Sequence, residues 1–158
     1  MDLTRGKRCK KSAAKRDLHT LRNEKIYEVA GKLGFSEVDN MGNPKETLMQ
    51  FIEAFNNADV DKISSLYDEN AVNHQVANEP VIGKAEIKKM FEQEFSMAKM
   101  ICIVENIFED GEWAIMEWKD PLGLRGCGFF HIQNDRIVFQ RGYWDKLSFL
   151  KQHNFPVE

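Results

Sequence analysis

The feature that most constrains the fold of this chain is a change of hydrophobic period after Ala98. Before this point apolar residues recur every three or four positions, as on one face of a helix, and after it they alternate with polar residues, as in half-buried strands. Four strands are predicted after the change, over residues 100–108, 112–119, 126–132 and 136–144. Short turn-forming segments at 109–111 and 133–135 join them in pairs, which predicts antiparallel hairpins.

Three helices are predicted before these strands. Asn43 is a suitable N-cap, and Pro44 is favoured at the first helical position. The apolar residues that follow at helical spacing are Leu48, Phe51, Ile52 and Phe55. Asp59 or Asp61 can cap a second, short helix, and Gly83 opens a third. The residues on or beside the inner face of the third helix are Ile87, Met90, Phe91, Glu94 and Phe95.

This order of elements, with helices first and strands after them, predicts an α+β fold rather than alternating β and α units. One face of an antiparallel sheet receives the helices, so helices and strands together form one domain, predicted over residues 44–158. A chain of 158 residues has room for one such core and a tail, and a second independent core is not expected.

Residues 1–43 are predicted to be a basic N-terminal extension that contains a helix between residues 12 and 33. Residues 1–25 hold nine Lys or Arg against three Asp or Glu, a balance of +6, and the chain as a whole is −3, so the remainder carries −9. Proteins that bind nucleic acid specifically usually present a basic folded face, so no specific nucleic-acid partner is expected. A solvated extension is favoured, and an arm that docks on a partner is the alternative.

The sequence also bears on the cellular location of the protein and on whether it binds a metal or a cofactor. No apolar run approaches the ~18 residues that span a bilayer, and the basic start lacks the apolar core of a secretion signal. We therefore expect no membrane association and a cytoplasmic location. The three cysteines, Cys9, Cys102 and Cys127, have neither a disulfide pattern nor metal-ligand spacing, and no phosphate-binding loop occurs. Neither a metal nor a cofactor is expected.

Several short segments, in this order of elements, resemble one known group of proteins. They are Phe55-Asn56-Asn57-Ala58-Asp59, Asp68-Glu69-Asn70-Ala71-Val72, Ile82-Gly83-Lys84, Asp135-Arg136-Ile137 and Arg141-Gly142-Tyr143-Trp144-Asp145. Over about residues 45–155 the chain resembles the SnoaL-like branch of the nuclear transport factor 2-like superfamily. The resemblance implies a cystatin-like cone, in which a curved antiparallel sheet wraps around about three helices, with the N-terminal helical extension added to it. It also implies a mostly apolar pocket in the cone and, commonly, a homodimer.

Because this fold hosts isomerases, cyclases, epoxide hydrolases, dehydratases and noncatalytic binders, the resemblance does not select a reaction. The limonene-epoxide hydrolases use an Asp base, an Arg and an Asp acid. Asp120 matches their acid, but Trp118 stands at the Arg position and Gly142 at the base position. The residues that hold water in those enzymes would fall on Asn73 and Gln75. With two of the three groups replaced, that mechanism is disfavoured.

Ketosteroid isomerases resemble the chain over residues 74–83. His74 stands where they carry the Asp that moves a proton, whereas their oxyanion-stabilising Tyr and Asp fall on Phe51 and Gly128, whose side chains donate no hydrogen bond. Enolate chemistry of that type is therefore disfavoured as well. Polyketide cyclases of the SnoaL type need little more than one acid/base residue in an apolar cavity, for which His74, Asp120 or Asp145 would serve.

The predicted site combines strand alternation with these comparisons. The predicted inner-face residues are Ala114, Met116, Trp118, Asp120, Gly128, Phe130, Ile132, Val138, Gln140, Gly142 and Trp144. The predicted catalytic residues are His74 and Asp120. The predicted ligand-binding residues are Phe51, Phe55, Asn73, Gln75, Met116, Trp118, Phe130, Gln140, Trp144 and Asp145.

Three points of this prediction stay open. The two comparisons differ on whether residue 74, or residues 73 and 75, point into the cone. Asp120 can instead form a turn before Pro121, and Asp145 can be the N-cap of a last helix that begins at Lys146.

The other face of the sheet is predicted to be apolar as well. Its residues are Trp113, Ile115, Glu117, Cys127, Phe129, His131, Phe139, Arg141 and Tyr143. Monomeric proteins rarely expose apolar patches beyond a few hundred Å², so we predict an isologous homodimer here, with Glu117 and Arg141 as polar partners. The alternative is a β-bulge that shifts the alternation and places these residues in the core.

Two functions follow as hypotheses. The first is noncatalytic or weakly catalytic binding of a small hydrophobic, ring-containing molecule in the cone. The second is a cofactor-independent acid/base enzyme, cyclase-like or isomerase-like, that uses His74 or Asp120. A cavity with only aliphatic groups around His74 would favour the first, and a carboxylate within hydrogen-bond reach of that imidazole would favour the second.

Overall fold

The computed structural model describes residues 43–157, and the predicted helix of the N-terminal extension lies outside this range. The described part contains four helices: α1 (Pro44–Asn56), α2 (Val60–Leu66), α3 (Lys84–Met97) and α4 (Lys146–Gln152). It also contains six strands: β1 (Tyr67–Gln75), β2 (Val81–Ile82), β3 (Ile103–Asp110), β4 (Trp113–Lys119), β5 (Arg125–Gln133) and β6 (Arg136–Trp144). The predicted α+β class is confirmed.

The six strands form one curved, unclosed sheet in the order β2-β1-β6-β5-β4-β3. The four strands predicted from alternation form an antiparallel meander, as expected. The sheet is nevertheless mixed, because β1 pairs with β6 in the parallel sense. β2 then pairs with β1 in the antiparallel sense and forms the edge of the sheet.

The helices begin at side-chain caps, and this explains where the chain turns into each one. The Asn43 side chain accepts a hydrogen bond from the Glu46 amide at 3.1 Å, and Asp59 accepts one from the Lys62 amide at 2.9 Å. Asp145 accepts hydrogen bonds from the first amides of α4. These side chains satisfy amides that have no partner within the helix.

The core lies between α1, α2, α3 and the inner face of the sheet. Its fully buried apolar residues include Leu48, Ile63, Ile87, Ala114, Phe130 and Ile137. The Phe51 ring of α1 contacts the Phe130 ring of β5 with centroids 5.1 Å apart, which joins the helical layer to the sheet. Each such large side chain stabilises the fold by roughly 1.5–3 kcal/mol through burial.

A β-bulge corrects one predicted inner-face residue. His131 lies opposite Phe139 and Ile132 opposite Ile137, so Val138 is the extra residue of β6. Ile137 is fully buried whereas Val138 is only half-buried. The prediction that Val138 occupies the core position is therefore wrong, and Ile137 takes that place.

The bulge leaves the rest of the alternation in place. The Trp113 ring stacks on the His131 ring at 4.6 Å, and the Phe129 ring meets the Tyr143 ring edge-on at 5.9 Å, all on the face opposite the buried Ala114. No helix among residues 43–157 has the length and apolarity to cross a membrane. The cytoplasmic location stays a prediction.

Candidate functional site

A cavity of about 490 Å³ lies between the helices and the inner face of the sheet. This volume falls within the range typical of small-molecule sites. Its apolar walls include Phe51, Phe55, Phe91, Met116, Trp118, Leu124, Trp144 and Phe149. Its polar lining residues are Gln75, Asn78, Glu94, Lys99, Asp120, Gln140, Lys146 and His153.

Two tryptophans form one wall of the cavity because a glycine lies between them. Gly126 of β5 pairs with Trp118 of β4 on one side and with Trp144 of β6 on the other. A Cβ atom on Gly126 would lie 2.4 Å from the Trp118 ring. The absence of a side chain at Gly126 therefore lets the Trp118 indole lie against the sheet.

A chain of hydrogen bonds runs from this wall into the core. Trp144 Nε1 donates to Gln75 Oε1 at 3.1 Å, and Gln75 Nε2 donates to Asn73 Oδ1 at 2.9 Å. The Asn73 amide then donates to Gln140 Oε1 at 3.3 Å, which also accepts from the Tyr67 hydroxyl. Burial raises the pKa of the Tyr67 hydroxyl far above its ordinary value, so it stays a neutral donor.

The same series of hydrogen bonds explains the glycine at position 142. A Cβ atom on Gly142 would lie 1.9 Å from Gln75 Oε1. The Gln75 amide thus occupies the space into which a side chain at 142 would project. Gly142 itself supplies no acid or base to the cavity.

Asp120 and His153 bring a carboxylate and an imidazole together in the cavity lining. Asp120 Oδ1 accepts hydrogen bonds from the amides of Leu122 and Leu124, both at 2.8 Å, which fix the carboxylate. Its Oδ2 atom lies 3.6 Å from His153 Nε2. The His153 ring packs on Phe149 with centroids 4.5 Å apart. The pair can accept and donate a proton toward a molecule in the cavity.

Glu94 of α3 is a second carboxyl group in the cavity lining. It lies one turn after Met90 and Phe91, which line the cavity with it. Burial among these apolar side chains raises the pKa of Glu94 from 4.5 to about 7. The charged form is disfavoured because it loses its hydration.

The structure settles which residues of β1 point inward. Asn73 pairs with Gln140 and Gln75 with Gly142, and all four are buried or face the cavity, whereas His74 pairs with Arg141 on the opposite face. His74 does not line the cavity, so its placement does not support the predicted acid/base role. The carboxylate–imidazole pair of the cavity is instead formed by Asp120 and His153.

The other predicted site residues divide into two groups. Eight of them line the cavity: Phe51, Phe55, Gln75, Met116, Trp118, Asp120, Gln140 and Trp144. Three do not: Asn73 lies behind Gln75, Phe130 is fully buried against Phe51, and Asp145 caps α4. For these three the structure shows a hydrogen-bonding, packing or capping position rather than a place at the cavity.

Sequence reasoning did not single out Glu94 or His153. A signal for Glu94 was present, because it is an acidic residue at helical spacing from Met90 and Phe91 on the inner face of α3. His153 had no such signal, because its contact with Asp120 depends on how the chain after β6 folds back over the cavity. Among the residues the structure describes, no cluster of three or more His, Cys, Asp or Glu could hold a metal ion.

Comparison with known proteins agrees with this fold. The family model described as a SnoaL-like domain matches residues 48–140. The comparison with curated protein sequences gives no match.

Three solved structures illustrate the fold. An NTF2-like protein of unknown function from Cytophaga hutchinsonii has a TM-score of 0.61 at 16% identity, over 68% of this chain and 95% of that one. An LEH-like epoxide hydrolase from M. tuberculosis has a TM-score of 0.61 at 21% identity, over 68% of this chain and 86% of that one. A candidate polyketide cyclase from Sinorhizobium meliloti has a TM-score of 0.57 at 17% identity, over 61% of this chain and 93% of that one. At these identities the similarity shows the fold and not the reaction.

Proposed function

Because the chain belongs to the SnoaL-like domain family, we propose that its cavity binds a small, mostly apolar molecule that contains a ring. The observation that carries this proposal is the cavity itself, about 490 Å³ in volume and walled by phenylalanine, tryptophan and methionine side chains. Aromatic walls favour flat or cyclic ligands, because ring faces and edges pack well against one another. The few polar groups would then orient the ligand.

Binding can be tested with a neutral fluorescent probe, N-phenyl-1-naphthylamine, whose emission rises in apolar surroundings. We expect saturable binding by the wild-type protein. A Met90→Trp variant adds an indole at the cavity wall and should weaken binding at least tenfold. Met49→Trp makes the same change on the exposed side of α1, where Met49 is 48% exposed, and should bind like the wild type. Absence of saturable binding by the wild type would contradict the proposal.

A second candidate function, a cofactor-independent acid/base enzyme, is favoured by the Asp120–His153 pair. Both side chains line the cavity, and the hydrogen bonds to Asp120 Oδ1 leave Oδ2 facing His153. A carboxylate beside an imidazole can remove a proton from a carbon next to a carbonyl group and return it at another position. Cyclisation and isomerisation both begin with such a step.

Proton transfer in the cavity can be measured by deuterium exchange of 2-tetralone in D₂O. The enzyme hypothesis predicts exchange faster than in buffer alone, with loss of the acceleration in Asp120→Asn. Asn keeps one oxygen for the Leu122 and Leu124 amides, so the local turn is retained. Asp110→Asn, an exposed change at the end of β3, is the control. Equal exchange rates for wild type and Asp120→Asn would leave only the binding function.

We further propose that the outer face of the sheet joins two copies of the chain. The proposal is supported by the aromatic side chains on that face, among which Tyr143 is 44% exposed and Phe129 contacts it. The Arg141 guanidinium lies over the Phe139 ring at 4.9 Å, and its Nε atom is buried without a hydrogen-bond partner among the described residues. A two-fold interface would bring the same apolar surface of a second copy against this one.

A further inference from the structure

The environment of Glu94 is the basis for an inference about the kind of ligand that the cavity accepts. Phe55 and Phe91 line the cavity together with Glu94, and their two rings meet edge-on with centroids 6.2 Å apart. Within residues 43–157 the Glu94 carboxylate forms no salt bridge and accepts no side-chain hydrogen bond. It is therefore a cavity acid that no described cation neutralises.

The other ionisable groups of the cavity lining do not supply that cation. They are Lys99, Cys102, Asp120, Lys146 and His153. Lys99 and Lys146 are exposed, and Lys146 donates to Asn78 at the surface at 3.1 Å. His153 is engaged with Asp120, and Cys102 is a buried thiol. The charges of the exposed Lys99 and Lys146 stay hydrated, whereas the half-buried Glu94 has lost part of its hydration.

An apolar cavity with one unpaired acid favours a particular complement. A ligand ammonium group would restore the interaction that the carboxylate lost on burial, and desolvated pairs of this kind are stronger than exposed ones. The Phe55 and Phe91 rings of the cavity lining add to the preference, since aromatic faces attract cations. A ligand carboxylate or phosphate would instead be repelled by Glu94.

We infer that the cavity selects a hydrophobic, ring-containing amine, whose ammonium group pairs with Glu94 while its ring packs against Phe55 and Phe91. This inference rests on the proposed binding function and adds to it the charge of the ligand. It does not require the Asp120–His153 pair to be catalytic.

Matched amines and alcohols test the inference. The probes are 1-adamantanamine with 1-adamantanol, 2-aminoindane with 2-indanol, and cyclohexylamine with cyclohexanol, titrated by calorimetry at pH 8. We expect the wild type to bind at least one amine ten or more times more tightly than its alcohol. Glu94→Gln should lose this preference and keep its affinity for the alcohol. Glu92→Gln, an exposed change on the same helix, should behave as wild type.

The pH dependence provides an independent readout. Because the pKa of Glu94 is about 7 and that of the amines is near 10, the affinity of the wild type for the amine should rise about tenfold from pH 6 to pH 8. The alcohol should show no such rise, and neither should the amine with Glu94→Gln.

The outcomes separate this inference from the binding function on which it rests. If alcohols bind as tightly as amines in the wild type, or if Glu94→Gln leaves the preference unchanged, the inference is overturned while the apolar binding function stands. If neither the amines and alcohols nor N-phenyl-1-naphthylamine binds, the binding function fails and the inference fails with it.

Discussion

At the scale of single residues, Gln75 explains why β6 has a glycine at position 142. Its amide accepts from Trp144, donates to Asn73 and fills the space above Gly142. A neutral amide thus occupies the space above Gly142, and no acid or base faces the cavity from that position. The acids of this cavity lie elsewhere, at Asp120 and Glu94.

The contact between Gln75 and Gly142 can be measured with a double-mutant cycle. Gly142→Ala should destabilise the fold by about 1–3 kcal/mol, because the new methyl group displaces the Gln75 amide from its hydrogen bonds. In a Gln75→Ala background the same substitution should cost much less, since the obstructing amide is gone. Urea unfolding of the four proteins gives the coupling energy, and equal costs in both backgrounds would show that the contact is not the cause.

Glu94 should make the stability of the protein fall between about pH 4.5 and pH 7. Its pKa is about 7 in the folded protein against an ordinary 4.5, so the folded state holds its proton where the unfolded chain has lost it. The stabilisation from this group is complete below the lower value and is lost as the pH rises through the upper one, by roughly 2–3 kcal/mol.

This pH dependence is measured by comparing unfolding of the wild type and Glu94→Gln in urea at pH 5 and pH 8. The difference between the two proteins isolates the contribution of Glu94 from that of other titrating groups. Glu92→Gln is the matched control. An unchanged pH dependence in Glu94→Gln would mean that Glu94 ionises as it does in water.

At the scale of elements, α4 contributes to the cavity although it buries none of its own residues. Its Phe149 ring meets Trp144 at 5.4 Å and Phe155 at 6.1 Å, and its C-cap residue, His153, faces Asp120. A seven-residue helix has little stability of its own. Its position therefore depends on these aromatic contacts and on its N-cap.

Removing that cap should loosen α4 without unfolding the domain. Asp145 accepts hydrogen bonds from the Leu147 amide at 3.0 Å and from the Ser148 hydroxyl at 2.7 Å. Asp145→Ala should speed amide hydrogen exchange over residues 147–153 and weaken probe binding severalfold, because α4 supplies part of the cavity wall. Asp145→Ser keeps a capping oxygen and should retain most of the protection. Unchanged exchange in Asp145→Ala would show that the cap is dispensable.

The elements also show how far the sequence predicted the structure. Caps such as Asn43 were predictable because they act on amides a few residues away, and β4 to β6 were predictable because alternation is a local pattern. The inward side of β1 was not, because it depends on a parallel pairing with β6 that is irregular between Tyr67 and Val72. The candidate site was predicted only in part. Asp120 could be identified because it lies in a connection next to a predicted strand. His153 could not, because it reaches Asp120 only through tertiary folding.

At the scale of the whole molecule, the sheet has two apolar faces with different uses. The inner face meets the helices and leaves the cavity, and its residues Ala114 and Phe130 are fully buried. The outer face has no helix packed on it among the described elements, yet it carries Trp113, Phe129 and Tyr143. A surface of this composition is more stable when covered, which is the reason for proposing a dimer.

The dimer can be tested with two variants, each of which adds one negative charge to a different surface of the molecule. Light scattering after size exclusion should give the wild type twice the mass of one chain. Phe129→Glu should shift it to the monomer, because a two-fold axis would bury two carboxylates in one apolar interface. Met49→Glu adds the same charge to an exposed position of α1 and should remain dimeric. A monomeric wild type, or a Phe129→Glu variant that stays dimeric, would show that two copies do not meet through this face.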